Sequence, residues 1–304
     1  MERVIITGPT GTVGTALAGL LTERGMEVVA VCRPGSPNIG NLTPHPLLRI
    51  VELDIRELGK LPELLEGPYQ SFYHLAWEGT FGEGRNQPEI QLDNVRHTLD
   101  AVKAASELGC QVFVGAGSQA EFGHYGAPAG EGTLPRPFTL YGAAKVAAGE
   151  MSRVYAQSLG LRHIWVRIFS IFGRGDDPGT LISYLIRAFQ EGSRPSLTPG
   201  EQPWDYLYSK DAARALAAVA EKGRDGAAYS LGSGVIRPLR SYVAEIRDLI
   251  RPEGEIGFGE KPYGSGQIMF LGADIGTLVE DTGFQPAFTF QEGLEDMLKR
   301  GMED

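Results

Sequence analysis

The sequence predicts an α/β fold: a doubly wound parallel sheet with a smaller C-terminal α/β lobe. Three observations carry this expectation. Short β-branched runs alternate with helical stretches through the first half of the chain, at the spacing of βαβ units. Several of those runs, such as Val4-Ile5-Ile6-Thr7 and Val28-Val29-Ala30-Val31, are apolar on successive rather than alternate residues, which marks strands covered on both faces. A glycine-spaced turn, Thr7-Gly8-Pro9-Thr10-Gly11-Thr12-Val13-Gly14, follows the first run and opens the first helix. Right-handed crossovers between such strands wind a sheet outward in both directions.

Taken in order, strands are expected at Arg3–Thr7, Glu27–Cys32, Leu48–Leu53, Ser71–Leu75, Gln111–Ala116 and His163–Phe169. Helical segments fall between them at Val13–Arg24, near Leu58–Glu66, at Gln87–Leu108 and at Leu140–Leu159. After Phe169 the rhythm breaks. Gly173–Gly179 is rich in Gly and Asp, a helix is expected near Leu181–Glu191, and Ser193–Pro203 carries three prolines. A strand–helix pair follows at Tyr206–Tyr208 and Asp211–Glu221, then a strand at Ala228–Leu231. The tail, Val235–Asp304, reads as two helical stretches between Gly- and Pro-rich loops. Residues 1–172, with a returning segment at about 205–234, are thus assigned to the sheet domain, and 173–204 with 235–304 to the smaller lobe.

Composition narrows the function classes. The 28 Lys and Arg against 38 Asp and Glu give a formal net charge of −10. That field repels nucleic acid and anionic membrane, so neither is expected as a partner, while a small anion can still be held by local amides. No apolar run approaches the ~20 residues of a membrane span, and Met1-Glu2-Arg3-Val4 runs into a strand without the pattern of a secretory leader. Cys32 and Cys110 form neither a C-x-x-C pair nor a disulfide framework. The five His, at 45, 74, 97, 124 and 163, lack metal-ligand spacing, so no metal site is expected. A soluble, cytoplasmic protein is expected.

The glycine-spaced turn has the layout that a dinucleotide pyrophosphate needs. Gly8 permits the tight turn, Gly11 lets the backbone approach the anion, and Gly14 allows close helix–strand packing. Thr10, Thr12 and Val13 belong to the same cradle, where the helix N-terminus offers free N–H groups. An NAD site places Asp or Glu about 20 residues further on, at the end of the second strand, to hold the ribose. Here that strand ends in Cys32-Arg33-Pro34-Gly35-Ser36, without a carboxylate. Arg33 and Ser36 are candidates for a 2′-phosphate instead. NADP(H) is therefore favoured over NAD(H), the plainer account of Arg33 being a solvated turn residue.

Tyr141 and Lys145 stand four residues apart in Tyr141-Gly142-Ala143-Ala144-Lys145 and so share a helix face. A phenol, with a reference pKa of ~10, is a poor base at neutral pH. A neighbouring ammonium lowers that value and lets Tyr141 exchange a proton with a substrate alcohol or carbonyl. Ser118, past the fifth strand, falls where C-terminal strand ends face the ligand crevice and can hydrogen-bond the same oxygen; the alternative is a Ser capping a turn. Glu121 reads as a helper of local turn structure or a pocket carboxylate, and His124 and Tyr125 as candidate pocket-lining residues.

Together, TGPTGTVG, Ser118 and YGAAK resemble the extended short-chain dehydrogenase/reductase family, in its sugar-nucleotide epimerase/dehydratase branch. The likeness continues in Leu53-Asp54-Ile55, His74-Leu75-Ala76, Asn94, Arg167-Ile168-Phe169-Ser170-Ile171-Phe172-Gly173, Asp205-Tyr206…Asp211, Tyr229-Ser230-Leu231-Gly232, and Ala273-Asp274 with Gly283-Phe284-Gln285-Pro286. The resemblance implies a Rossmann domain with Gly8, Gly11 and Gly14 at the pyrophosphate, Asp54 and Ile55 at the adenine, and Leu75, Ala76 and Phe169 beside the cofactor. It implies Tyr141 as acid/base, Lys145 at the nicotinamide ribose and Ser118 on the substrate oxygen. The smaller lobe would bind a nucleotide-activated sugar, with Gln119, Ser170, Trp204 and Lys261 as candidate contacts and Arg174 and Arg237 as further diphosphate partners. A homodimer through the helices carrying Asn94 and Tyr141 is also implied.

Three departures shape the expected reaction. Ser118-Gln119-Ala120 stands where the dehydratases carry Thr-Asp-Glu, Ser170 stands for an Asn, and Trp204 stands for an Arg. The expected activity is an NAD(P)-dependent hydride transfer at a sugar carbon, C4 foremost. A 4-ketoreductase is placed ahead of an NAD-retaining 4-epimerase. A non-catalytic dinucleotide sensor or assembly subunit is the reading from another class.

Overall fold

The computed structural model describes residues 2–300; Met1 and residues 301–304, the outer ends of the two expected parts, lie outside the described residues. The chain first runs β1 (Arg3–Thr7), α1 (Thr12–Glu23), β2 (Glu27–Cys32), β3 (Leu48–Glu52), α2 (Leu61–Leu64), β4 (Ser71–His74), α3 (Pro88–Glu107), β5 (Val112–Ser118), α4 (Leu140–Ser158) and β6 (Arg162–Ile168). It continues with β7 (Ser170–Phe172), α5 (Leu181–Gln190), β8 (Ser196–Leu197), β9 (Pro203–Trp204), β10 (Tyr206–Tyr208), α6 (Ser209–Lys222) and β11 (Ala228–Leu231). The tail adds β12 (Arg237–Pro238), α7 (Leu239–Ile250), β13 (Gly257–Phe258), α8 (Gly276–Thr282) and α9 (Phe290–Arg300).

Seven of these strands form one parallel sheet in the order β11-β6-β5-β4-β1-β2-β3. The continuous apolar runs are explained by its two faces. Val4, Ile6, Val28 and Ala30 point to the side covered by α1 and α6, where Leu17, Leu21 and Leu216 meet them. Ile5, Val29, Phe72 and Phe113 point to the other, against Ala101, Ala105 and Ala156 of α3 and α4. Each fully buried aliphatic side chain of this kind contributes about 1.5–3 kcal/mol. The order reverses between β1 and β4, whose registered ends, Thr7 opposite His74, open the crevice where such sheets take ligands.

A third core, built from Phe172, Leu185, Phe189, Tyr242, Ile246, Phe290 and Leu294, lies under α5, α7 and α9. Two buried carboxylates tie this region to the sheet. Asp205 accepts hydrogen bonds from Ser233 N at 2.8 Å, Ser233 Oγ at 2.6 Å, Gly234 N at 3.1 Å and Ala273 N at 3.2 Å. Asp211 accepts from the Ala287 and Phe288 amides, both at 2.9 Å, and from Arg214 at 2.6 Å. Among the described residues, no helix is long and apolar enough to cross a membrane.

Two element expectations are corrected. The helix expected near Leu58–Glu66 is a 3₁₀ turn at Ile55–Lys60 followed by the single turn of α2. The helix ends at Leu64, where Leu65 takes extended backbone angles. The tail holds three helices, α7, α8 and α9, instead of two. The extra one, α8, spans seven residues, too few to print a helical period, and Gly283 ends it at φ 72° in the left-handed region.

Candidate active site

The three glycines of the first turn do different work. Gly8 has φ +69°, and a Cβ there would lie 2.7 Å from Ala76 N. A Cβ on Gly14 would lie 2.2 Å from Gly8 O, inside contact distance. The fold itself therefore needs both. A Cβ on Gly11 would meet only Gly8 O, at 3.9 Å, so its bare backbone borders open space at the exposed N-cap of α1. That is a cradle a side chain would fill, and it fits a pyrophosphate approaching the helix N-terminus. Thr12 begins α1, and the Val13 side chain turns into the core.

Gly8, Thr10 and Gly11 line a cleft of about 420 Å³ together with residues following three strands. Arg33 and Ser36 come from the loop after β2, Asp54 and Ile55 from after β3, and Leu75 and Ala76 from after β4. Arg33 is exposed at its edge. The Asp54 carboxylate is gripped by Arg56 through Nε and Nη2, both at 2.8 Å, which pulls its pKa down to about 2. Glu52, exposed on β3, accepts from Gly35 N at 3.4 Å and does not line the cleft.

Ser118 is the last residue of β5, and Tyr141 and Lys145 sit one turn apart on α4; all three are buried. The Ser118 hydroxyl lies near enough to the Tyr141 phenol to favour its ionised form. Lys145 Nζ donates to Ala116 O at 2.5 Å and lies 3.7 Å from the centre of the Trp77 ring, a wall of the cofactor cleft. The expected electrostatics need correction. Burial raises the Tyr141 pKa, opposed by the neighbouring Ser118 hydroxyl and by the Arg85 guanidinium 4.4 Å over its ring. Burial pulls Lys145 down to about 7, opposed by the charge of Glu121. In this state Lys145 is turned to Ala116 and Trp77, with its ammonium 5.9 Å from the Tyr141 ring centre.

Of the other expected residues, Gln119 is half-buried beside Ser118. Phe169 is buried against Phe122, 6.1 Å between ring centres, outside the cleft lining. Ser170 and Trp204, two of the three departures, close on each other: the indole Nε1 donates to Ser170 Oγ at 2.9 Å. Lys261 is exposed at the corner where β8 and β13 pair. Arg237 is engaged, 2.5 Å from Glu245 and 3.9 Å over the Tyr242 ring. Arg174 lines a separate cavity of about 390 Å³ against α1. His124 stacks on Phe138 at 4.2 Å, and with Tyr125 it lines a pocket of about 410 Å³ shared with Ile268, Met269 and Phe270.

Sequence reasoning missed Trp77 and Arg85. Trp77 directly follows His74-Leu75-Ala76 and was legible as a neighbour of that motif. Arg85 lies in Gly82–Asn86, a turn with no periodicity to place it. Among the described residues, no group of three His, Cys, Asp or Glu is arranged to hold a metal ion.

The crevice at a doubly wound sheet's switch point, with a glycine cradle at its floor, defines a class of dinucleotide-binding enzymes. The chain belongs to the NAD dependent epimerase/dehydratase family, whose model matches residues 4–232, and is an enzyme of the extended short-chain dehydrogenase/reductase type. It is 23% identical over 304 residues to the uncharacterized UDP-glucose epimerase YtcB of Bacillus subtilis, covering 96% of this chain and 95% of that one. It is 24% identical to the CDP-abequose synthase of Salmonella typhimurium, with 98% of both covered. Among solved structures, the UDP-glucose 4-epimerase of Thermotoga maritima with UDP-glucose shares the fold at a TM-score of 0.89 and 21% identity, both chains fully covered. MoeE5 in complex with UDP-glucuronic acid and NAD matches at a TM-score of 0.85 and 27% identity over 99% of both chains.

Proposed function

We propose that this chain moves hydride at a carbon, C4 foremost, of a nucleotide-activated sugar, with Tyr141 as the acid/base. The observation that carries the reading is the joint burial of Ser118, Tyr141 and Lys145, with the lysine ammonium 3.7 Å from the ring centre of Trp77 in the cleft lining. The related CDP-abequose synthase, the UDP-glucose 4-epimerase and the complex with UDP-glucuronic acid supply the substrate class.

A nicotinamide dinucleotide bound over Gly11 supplies the hydride chemistry. The chain's own residues do the rest. Tyr141 gives its phenolic proton to the substrate oxygen in reduction and takes it back in oxidation. Ser118, buried beside the phenol, shares that oxygen and fixes its position. Lys145, whose ammonium rests on Ala116 O, would hold the cofactor's ribose and offer a proton path away from Tyr141. The smaller lobe, residues 173–204 and 235–304, has its own core and receives the nucleotide end of the substrate, with Trp204 and Gln119 facing it.

Exposed Arg33 at the cleft edge, with Ser36 beside it and no carboxylate at the end of β2, supports NADP(H) and a one-way 4-ketoreductase. A second reading, an NAD-retaining 4-epimerase, is favoured by the epimerases and the NAD complex among the related proteins. The two separate in one experiment: titration of NADH and NADPH on the purified protein, after identifying any cofactor that co-purifies. The ketoreductase reading expects tighter NADPH binding, which Arg33→Asp reverses toward NADH. Retained NAD, or an unchanged preference in Arg33→Asp, overturns it.

A homodimer through α3 and α4 belongs to the same proposal. Leu92, Met151 and Val154 are 69%, 49% and 57% exposed on these helices, an apolar face that water alone leaves unsatisfied.

A further inference from the structure

Glu121 is buried to 1% exposure, and its carboxylate ties the backbone of Ser118 to two side chains of β6. Oε1 accepts from Ser118 N at 2.9 Å and from Trp165 Nε1 at 2.9 Å, and Oε2 accepts from Arg167 Nε at 2.8 Å. The Ser118 hydroxyl in turn accepts from Ala120 N at 3.2 Å, completing a reciprocal cap that fixes both ends of the Ser118–Glu121 turn. The fit admits no slack. A Cβ on Gly117 would lie 2.4 Å from Trp165 Nε1 and 2.5 Å from Glu121 Oε1. A turn-capping Glu alone would be satisfied by solvent; this one is desolvated and paired with a guanidinium that is itself 9% exposed.

We infer that Glu121 is a positioning residue for the proposed hydride transfer: it seats Ser118 through the backbone and places a buried negative charge behind the site. The inference rests on the proposed role of Tyr141. Arg167 on β6 and Lys145 and Tyr141 on α4 are the charged and titratable groups facing Glu121. Lys145 is faced in addition by His74 on β4, and Tyr141 by Arg85 from the Gly82–Asn86 turn. A negative charge at this point favours the protonated form of both Lys145 and Tyr141. Its removal therefore shifts both titrations toward lower pH, whereas lost packing alone lowers the rate without moving either.

The test is the Glu121→Gln variant, read in two ways: NADPH binding by fluorescence across pH 5–10, and reduction of a UDP-linked 4-keto sugar over the same range. The expected result is a drop of about tenfold in kcat from the displaced Ser118, with the pH at which NADPH affinity falls moved down by about half a unit or more. Glu121→Asp keeps the charge and is expected to hold the wild-type pH position while losing rate. If the unpaired Arg167 prevents Glu121→Gln from folding, Glu121→Gln with Arg167→Met removes both charges and restores a foldable core. An unmoved pH profile of NADPH binding in Glu121→Gln overturns the inference, as does an undiminished kcat in the double variant, whose two lost charges offset each other. Tyr141→Phe, run alongside, separates the failures. If it retains activity, the proposed acid/base role is wrong; if it is inactive while Glu121→Gln leaves the profile in place, only the role of Glu121 is wrong.

Discussion

At the scale of single residues, the site is a small set of groups held against their own solvation preferences. Tyr141 and Lys145 are buried, and burial pushes each toward its neutral form. A neutral phenol is a proton donor, the form that the proposed reduction uses. Tyr141→Phe keeps the ring under Arg85 and removes only the oxygen. It is expected to cost ~10²–10⁴-fold in kcat with cofactor affinity unchanged, measured by steady-state turnover and NADPH titration. The Ser170–Trp204 pair shows how two departures from a family pattern can be one structural event. Replacing an amide and a guanidinium separately would orphan polar groups, whereas here the indole N–H and the hydroxyl satisfy each other.

At the scale of elements, α4 carries two duties on two faces. Tyr141, Lys145 and Gly149 look inward, Gly149 lying so close to Trp165 that a Cβ would stand 2.9 Å from its ring. Met151 and Val154 look outward, and with Leu99, Tyr155 and Ser158 they border a shallow cavity of about 560 Å³. The dimer reading expects the protein to sediment as a homodimer. Met151→Glu with Val154→Glu should yield a monomer that still binds cofactor, since charge on a packed apolar face is costly. A wild-type protein that sediments as a monomer, or a variant that stays dimeric, would remove α4 from the interface.

At the scale of the whole molecule, buried histidines couple folding to pH. Burial lowers His74 to about 3 and His163 to about 4. His74 keeps one ring nitrogen on Thr7 Oγ1 at 2.9 Å, and His163 keeps one on Ser152 Oγ at 2.8 Å. The unfolded chain protonates both near pH 6.5, where the folded chain does not. It therefore binds more protons, and stability falls as pH falls through this window. Between pH 6.5 and about 4, each of the two is expected to lower the unfolding free energy by about 1.4 kcal/mol per pH unit. Urea unfolding at a series of pH values checks this, and stability flat over that range would contradict it. His163→Phe, suited to the ring stack with Phe113 and Trp165, should remove one share of the slope.

The sequence by itself determined the sheet and the floor of the cleft. Arg3–Thr7, Glu27–Cys32 and Ala228–Leu231 stand as strands where the apolar runs placed them, because doubly covered strands print their burial on every residue. Gly8 and Gly14 were legible because backbone crowding tolerates nothing larger. Spacing alone put Tyr141 and Lys145 on one face of a helix. What only the tertiary structure decided is everything that depends on chain segments far apart in sequence. Arg85 reaches the Tyr141 ring from 56 residues away, Glu121 meets Arg167 across 46, and Trp204 meets Ser170 across 34. Local pattern carries no record of such encounters, nor of how far burial shifts a proton. Lys145 thus entered the argument as the cation that would lower a tyrosine's pKa, and in the fold burial has lowered its own most. Desolvation belongs to the packed interior as a whole, and no four-residue spacing can state it.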